Sequence, residues 1–347
     1  MPRDGGNARR TGGRRRWLTT GAALAVAAVA TAGTLTALPG HDGDGSAPSR
    51  ERAEPAARPG AVGKVAKAKR ETCEDGSNPA SSLRPSGASG KAVERIKDKD
   101  QLVVGVDQNS YLWGYRNPAT GRIEGFDIDL VRAIAEDLLG SDPRIVYKTV
   151  PTNKRVEAIQ KGQVDMVVRT MTISCDRLKE VAFSTAYFES GQQLVAPKGS
   201  DITGVNSSLR GRRLCFAKGS SAETLLTDSD QKYHSLGFRT VRVDNQLDCL
   251  VRLQVGRADA VVTDNALGAG QAAQDPSVEL VGDPLTLEPY GVAMNLEDKD
   301  LVRRVNKVLE AYREGGSKSD WRASYDKWLA ERMDLKEPAP PSPSYKD

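Results

Sequence analysis

The residues best suited to chemistry lie together at 164–184, VDMVVRTMTISCDRLKEVAFS. Thr170, Thr172 and Ser174 alternate there, so on an extended backbone their side chains share one face. Arg177 follows at the start of a basic segment. Hydroxyls, neighbouring amides and a guanidinium fork together make a receptor for a carboxylate. The plainer account is a strand end with ordinary turn residues and a surface arginine. The surrounding elements have to decide between the two.

Those elements alternate. Residues 101–106, QLVVGV, form an apolar run suited to a buried parallel strand. Residues 126–139 follow with Ile128, Val131, Ile134 and Leu138 at helical spacing. A strand is expected at 145–150, a helix at 154–161 and a third strand at 164–168. The order then repeats: strand 213–216, helix 221–227, strand 240–243, helix 247–255, strand 258–262. IQKGQVDMVV at 159–168 and LQVGRADAVV at 253–262 even share a phrase of helix end, glycine stop, acid and buried strand. Alternation of this kind implies parallel sheets with helices on their faces. Two copies imply two similar lobes, with ligands held at the carboxyl ends of the strands.

At 347 residues, 38% hydrophobic and 28% charged, the chain suits a soluble globular protein of one large or two medium domains. Its formal charge of +4 misleads. Residues 1–16 hold six arginines against one aspartate, so the rest of the chain sums to −1. A near-neutral body is not a nucleic-acid binder. The basic tail leads into an uncharged, alanine-rich run at 17–38, which is the pattern of an export signal. GRRRWL at 13–18 also resembles a twin-arginine export motif, and cleavage would fall after Ala32 or Ala37. The run is long enough to span a bilayer, so residues 1–40 are expected to be a signal or a retained anchor. No cysteine ends it, which counts against a lipid anchor. Residues 41–90 have few large apolar side chains and are expected to be a disordered tether. The Pro-rich 336–347 is expected to be an extended tail.

Four cysteines in an exported protein point to two disulfides. Three pairings are open. The preferred one joins Cys215 to Cys249, which fall in one β/α region, and leaves Cys73–Cys175 to fasten the tether to the body. Closing a loop of about 35 residues contributes about 3–4 kcal/mol in the chain-entropy model. Metal binding is the poorer reading, because no two cysteines are close and the histidines are only His41 and His234. No cofactor is expected.

Residues 91–335 resemble the family 3 extracellular solute-binding proteins, the amino-acid-binding components of ABC importers. The likeness rests on LVVGVDQN (102–109), GFDIDLVRAIA (125–135), the 164–177 stretch, KGSSAETL (218–225), ADAVVTDNA (258–266), EPYGVAMN (288–295) and the ending at 301–329. The cysteine placement and TCEDGSNPASSLRP (72–85) are similar to the actinobacterial glutamine/glutamate-binding lipoprotein branch, whose lipobox cysteine this chain lacks. The resemblance implies an α/β, two-lobed fold of the type II periplasmic-binding-protein kind, each lobe a sheet flanked by helices. Lobe 1 would be 91–190 with the return segment 293–335, and lobe 2 would be 195–288. Two crossing strands near 192–196 and 290–294 would form the hinge, with the ligand between the lobes.

The resemblance also implies roles. Arg177 would pair with a ligand α-carboxylate, beside Thr170 and Thr172, and Asp264 would receive the α-ammonium unless it merely caps a helix. Ser220 and Ser221 open a lobe 2 helix whose free amides favour an anion, or simply cap it. Arg155, preceded by Thr152, matches a position that is arginine in glutamate and aspartate binders. Arg169 ends a buried strand, where a charge needs a partner: an acidic ligand, or an internal acid such as Asp107 or Asp165. Asp107 and Tyr111 follow the first strand, where the family sets ligand groups and an aromatic wall. The function implied is monomeric, non-catalytic binding of glutamate or aspartate, with asparagine or glutamine behind. The partner would be an ABC permease or a membrane nutrient sensor. An enzyme on the same fold, resembling prephenate or arogenate dehydratases, is the alternative. It lacks a suitably placed glutamate, nucleophile or phosphate loop. A third reading, the sensory module of a peptidoglycan-cleaving enzyme, would need a further lytic domain.

Overall fold

The computed structural model describes residues 70–227, 233–333, 335 and 338–347. The expected export segment at 1–40, and the expected tether as far as residue 69, lie outside the described residues. Among those described, no helix is long and apolar enough to cross a membrane.

Leu102, Val104 and Val106 are fully buried, so the run 102–106 becomes the middle of a sheet rather than an edge. That sheet has the order Ile145–Thr149, Leu102–Val106, Met166–Val167, Ala293–Met294, Ala182–Phe183. The first three strands are parallel, and Ala293–Met294 runs antiparallel to both its neighbours. Met166–Val167 is shorter than the apolar run 164–168 suggested. The helix Phe126–Leu139 packs on this sheet through Ile128, Val131, Ile134 and Leu138. It starts at Gly125, where φ is 136° and a Cβ would sit 2.3 Å from the Trp113 carbonyl oxygen. Only glycine fits there.

The second sheet repeats the plan. Its order is Arg239–Val243, Arg213–Ala217, Ala260–Asp264, Gln192–Pro197, Val278–Val281. The first three strands are again parallel, and Gln192–Pro197 is antiparallel to both its neighbours. In each lobe the antiparallel strand is the one whose chain has just arrived from the other lobe.

The crossing itself is the antiparallel pair Phe188–Ser190 and Glu288–Tyr290. This moves the hinge a few residues from the expected 192–196 and 290–294. Gln192–Pro197 belongs to the lobe 2 sheet and Ala293–Met294 to that of lobe 1. The crossing is bedded on aromatic rings. Trp113 meets Phe126, Phe188 and Tyr290 edge-on, with centroids 5.4, 4.9 and 5.8 Å apart. After the crossing, the helices Lys299–Arg313 and Asp320–Trp328 return to lobe 1. Leu301, Val305, Leu309 and Tyr312 form the buried stripe of the first. Ser319 caps the second by accepting from the Arg322 amide at 3.1 Å.

Two expectations fail at the ends of the body. Residues 70–90 are not a free tether, and 338–347 is not a free tail. Ser81–Ser82 pairs in parallel with Ser344–Tyr345, and Ser82 Oγ donates to the Phe183 carbonyl at 2.7 Å. Asn306 donates to Leu83 O at 2.6 Å, and the Asp347 carboxylate accepts from the Arg84 amide at 2.7 Å. A segment poor in apolar residues is held here by satisfied backbone groups and a covalent link, with Ala80 and Leu83 as its apolar contacts to the core. That link is Cys73–Cys175, and Cys215–Cys249 is the second disulfide. The latter joins the strand Arg213–Ala217 to the helix Leu247–Gln254 with both cysteines fully buried.

Candidate functional site

Lobe 1 presents cations. The short helix Cys175–Leu178 begins after Ser174, whose hydroxyl accepts from the Arg177 amide at 3.4 Å. Arg177 then folds back: Nη1 donates to the Thr172 carbonyl at 2.7 Å, and Nη2 to the Gly219 carbonyl of lobe 2 at 3.1 Å. Arg155 opens the helix Arg155–Gln160 and is only 4% exposed. Its Nε donates to Thr152 O at 3.0 Å, and its Nη2 to the same Gly219 carbonyl at 3.2 Å. Neither guanidinium has a carboxylate in ion-pair range among the described residues. Burial, then the fields of Arg177 and Arg169, push Arg155 well below the ordinary guanidinium range. Burial lowers Arg177 as well, and Glu288 and Asp264 oppose it.

Arg169 is different, because its partner is internal. Its Nη2 meets Asp107 Oδ2 at 2.9 Å with both side chains buried, and its Nη1 donates to Thr152 Oγ1 at 3.0 Å. Asp107 also accepts from the Ser110 hydroxyl at 2.6 Å and from the Gln108 and Asn109 amides. A buried charge at a strand end has thus found an internal acid, the alternative to an acidic ligand, and Arg169 also lines the cavity described below. Tyr111 is not among the residues that line that cavity. Its ring packs edge-on against Tyr115 at 4.9 Å.

Thr170 sits at φ 41°, an uncommon conformation for a β-branched residue. Its amide donates to Asp127 Oδ2 at 3.0 Å, and Asp127 Oδ1 accepts from the Tyr187 hydroxyl at 2.7 Å. Asp127 is fully enclosed, and burial pushes its carboxyl up to about 7. The strained turn is over-determined by this buried acid, as functional turns often are.

Lobe 2 and the hinge present acceptors. Asp264 ends the strand Ala260–Asp264 and precedes the helix Asn265–Gln274, yet its side chain makes no capping bond. Its Oδ1 accepts from Gln192 Nε2 and its Oδ2 from the Tyr290 hydroxyl at 2.7 Å. Burial, and then the nearby Glu288, push its carboxyl up to about 7. Thr172 Oγ1 donates to Glu288 Oε2 at 2.7 Å and accepts from Ser221 Oγ at 3.1 Å. Ser220 takes the plainer role: its hydroxyl accepts from the Glu223 amide at 3.2 Å, capping the helix Ser221–Thr227.

Between these faces lies a cavity of about 420 Å³, counting the part open to solvent. Arg155, Arg169, Thr170, Thr172, Arg177, Ser220, Ser221 and Asp264 line it; Asp107 and Tyr111 do not. The lobes touch across it: the Thr152 amide donates to Asp244 O at 3.3 Å, and Gln246 Nε2 to Ser110 Oγ at 3.0 Å. Gln192, Tyr290 and Glu288 are participants that the sequence reading passed over. Glu288 carried a signal, an acid set directly before the apolar PYGVAM run. Among the described residues no group of three or more His, Cys, Asp or Glu could hold a metal ion. Guanidinium groups on one jaw and a carboxylate on the other suit a small zwitterion enclosed by closure.

A two-lobed fold with such a cleft is that of a solute receptor, and its relatives say which kind. The model of the bacterial extracellular solute-binding proteins, family 3, matches residues 102–331, and the chain belongs to this family. It is 36% identical to the ABC transporter glutamine-binding protein GlnH of Bacillus subtilis over 68% of this chain and 84% of that one. It is 26% identical to the glutamate/aspartate import solute-binding protein of Salmonella typhimurium over 73% of this chain and 82% of that one. An ancestral arginine-binding protein bound to arginine superposes with a TM-score of 0.60 at 33% identity, covering 66% of this chain and 98% of that one. The family binds solutes and does not catalyse. The protein is an amino-acid solute-binding protein of the ABC-transporter kind.

Proposed function

We propose that the cleft receives an acidic amino acid, glutamate or aspartate, ahead of the amides. The observation that supports this reading is the pair Arg155 and Arg177, which converge on the single Gly219 carbonyl with no carboxylate in ion-pair range among the described residues. One cation suits the α-carboxylate of any amino acid. Two suit a dicarboxylic one, because a buried guanidinium facing a neutral amide lacks countercharge. In the loaded form Arg177 takes the α-carboxylate, Asp264 the α-ammonium, and Arg155 the side-chain carboxylate. Thr170, Thr172 and Ser221 surround them. The amide reading has its own support, since the Bacillus relative is named for glutamine. Delivery would be to a permease or a membrane sensor on the outer face of the cell membrane, by a monomeric receptor.

Isothermal titration with glutamate, aspartate, glutamine and asparagine tests the proposal. Glutamate or aspartate should bind tightest, and Arg155→Met should weaken glutamate by about tenfold or more while changing glutamine little. Equal losses for both ligands would mean that Arg155 never meets the side chain.

A further inference from the structure

Thr172 is asked to do two things at once. Its hydroxyl carries one proton and two acceptor sites. The proton is committed to Glu288 Oε2 at 2.7 Å, and one acceptor site takes the Ser221 hydroxyl of lobe 2 at 3.1 Å. Arg177 does not use this oxygen, because its bond goes to the Thr172 backbone carbonyl. The hydroxyl therefore meets the cavity as an acceptor, and a carboxylate, which cannot donate, is what fixes it so.

Glu288 reaches further. Its other oxygen accepts from Thr286 Oγ1 at 2.9 Å, and Thr286 Oγ1 accepts from the backbone N–H of Gln192 at 2.9 Å. Gln192 lines the cavity and commits its Nε2 to Asp264, which leaves its buried Oε1 with no hydrogen-bond partner. Thr172, Gln192 and Asp264 all line the cavity, where Thr172 Oγ1 and the Asp264 carboxylate offer acceptors to an ammonium. All three are linked through Glu288 on the crossing strand Glu288–Tyr290.

We propose that Glu288 is a positioning residue for ligand binding: it turns the Thr172 hydroxyl into an acceptor for the ligand ammonium. The proposal rests on the amino-acid reading of the same cleft. Glu288 need not touch the ligand. Its place on the hinge also links the Ser221–Thr172 contact, made across the closed lobes, to the strands that bend.

The groups facing the Asp264 carboxyl are Glu288 and Tyr290 on the crossing strand, Arg155 and Arg177 on lobe 1, and Gln192 on its neighbouring strand. Glu288 is the like charge among them, so removing it should ease ionisation of Asp264 and move the acid limit of ligand binding to lower pH.

A double-mutant cycle on the full chain tests this, with glutamate binding read by calorimetry between pH 5 and 8. Glu288→Gln keeps the shape and removes the charge; Thr172→Val keeps the shape and removes the hydroxyl. Glu288→Gln should weaken glutamate about tenfold in the parent and less than about twofold in the Thr172→Val background. Its acid limit should also move to lower pH. An unchanged Kd with a lowered Tm would make Glu288 merely structural and overturn the proposal. So would an equal loss in both backgrounds. If the parent binds no amino acid at all, the functional reading fails and this inference with it. Binding without coupling defeats this inference alone.

Discussion

The two lobes share one sheet plan and divide the chemistry. Lobe 1 sets Arg155, Arg169 and Arg177 around the cleft, whereas lobe 2 sets Asp264 and Gln192, with Glu288 behind Thr172 on the hinge. The strand order is the same in both: second, first, third, then the strand arriving from the other lobe. A repeated fold therefore need not repeat a site. What differs is the residue at each carboxyl-terminal strand end, and those ends are where such sheets hold ligands. In the proposed reading, positive and negative jaws would attract a zwitterion from opposite sides, and closure would remove water from both contacts at once.

The divided chemistry suffers most from the loss of its strongest cation. Arg177→Ala should cost about 3–5 kcal/mol of binding, a loss of at least about a hundredfold, because it leaves the ligand carboxylate enclosed without a partner. Calorimetry showing an affinity within about threefold of the parent would remove Arg177 from the site. The disulfides separate the lobes further. Replacing Cys215 and Cys249 together by serine should cost about 3 kcal/mol of stability, through the 34-residue loop in the lobe 2 core, with a smaller change in ligand affinity although Cys249 lines the cavity. Replacing Cys73 and Cys175 should also weaken binding, because Cys175 opens the helix that carries Arg177. Paired measurements of Tm and Kd resolve the two effects. Equal Kd changes would show that the lobes do not differ in this way.

The smallest effect is on pH dependence. Asp264 and Asp127 hold their protons to about pH 7 in the folded protein, against a usual 3.8. Between about pH 4 and 7 the folded chain then binds more protons than the unfolded one. Their contribution to stability is full below about pH 4 and is lost as the pH rises through about 7. Ligand binding runs the other way, since an ammonium favours ionised Asp264 and affinity falls as the pH drops below about 7. The ligand-free Tm of an Asp264→Asn variant should fall less steeply between about pH 5 and 7 than that of the parent. Parallel curves would place the titration elsewhere.

Much of the fold was legible because apolar spacing is a local signal. The helix at 126–139 and the strand at 102–106 have one consistent side to bury, and the echoed phrase at 159–168 and 253–262 announces the duplication. Arg177 and Asp264 are named from the family resemblance, and both line the cavity. The site was not legible where partners are chosen in three dimensions. The sequence left Arg169 with a choice among an acidic ligand, Asp107 and Asp165, and no spacing shows that Thr172 will meet Glu288, 116 positions later. The ordered 70–90 segment was missed for a related reason. Its composition predicts no core, and it is held instead by a disulfide and by strand pairing with residues near the far end of the chain.

A crystal structure of the protein with its tightest-binding amino acid is the decisive measurement. Expected are the α-carboxylate on Arg177, the ammonium on Asp264 and the side-chain carboxylate on Arg155, all between closed lobes. A ligand bound away from Arg177, or with its ammonium on lobe 1, would refute the division of charge between the jaws.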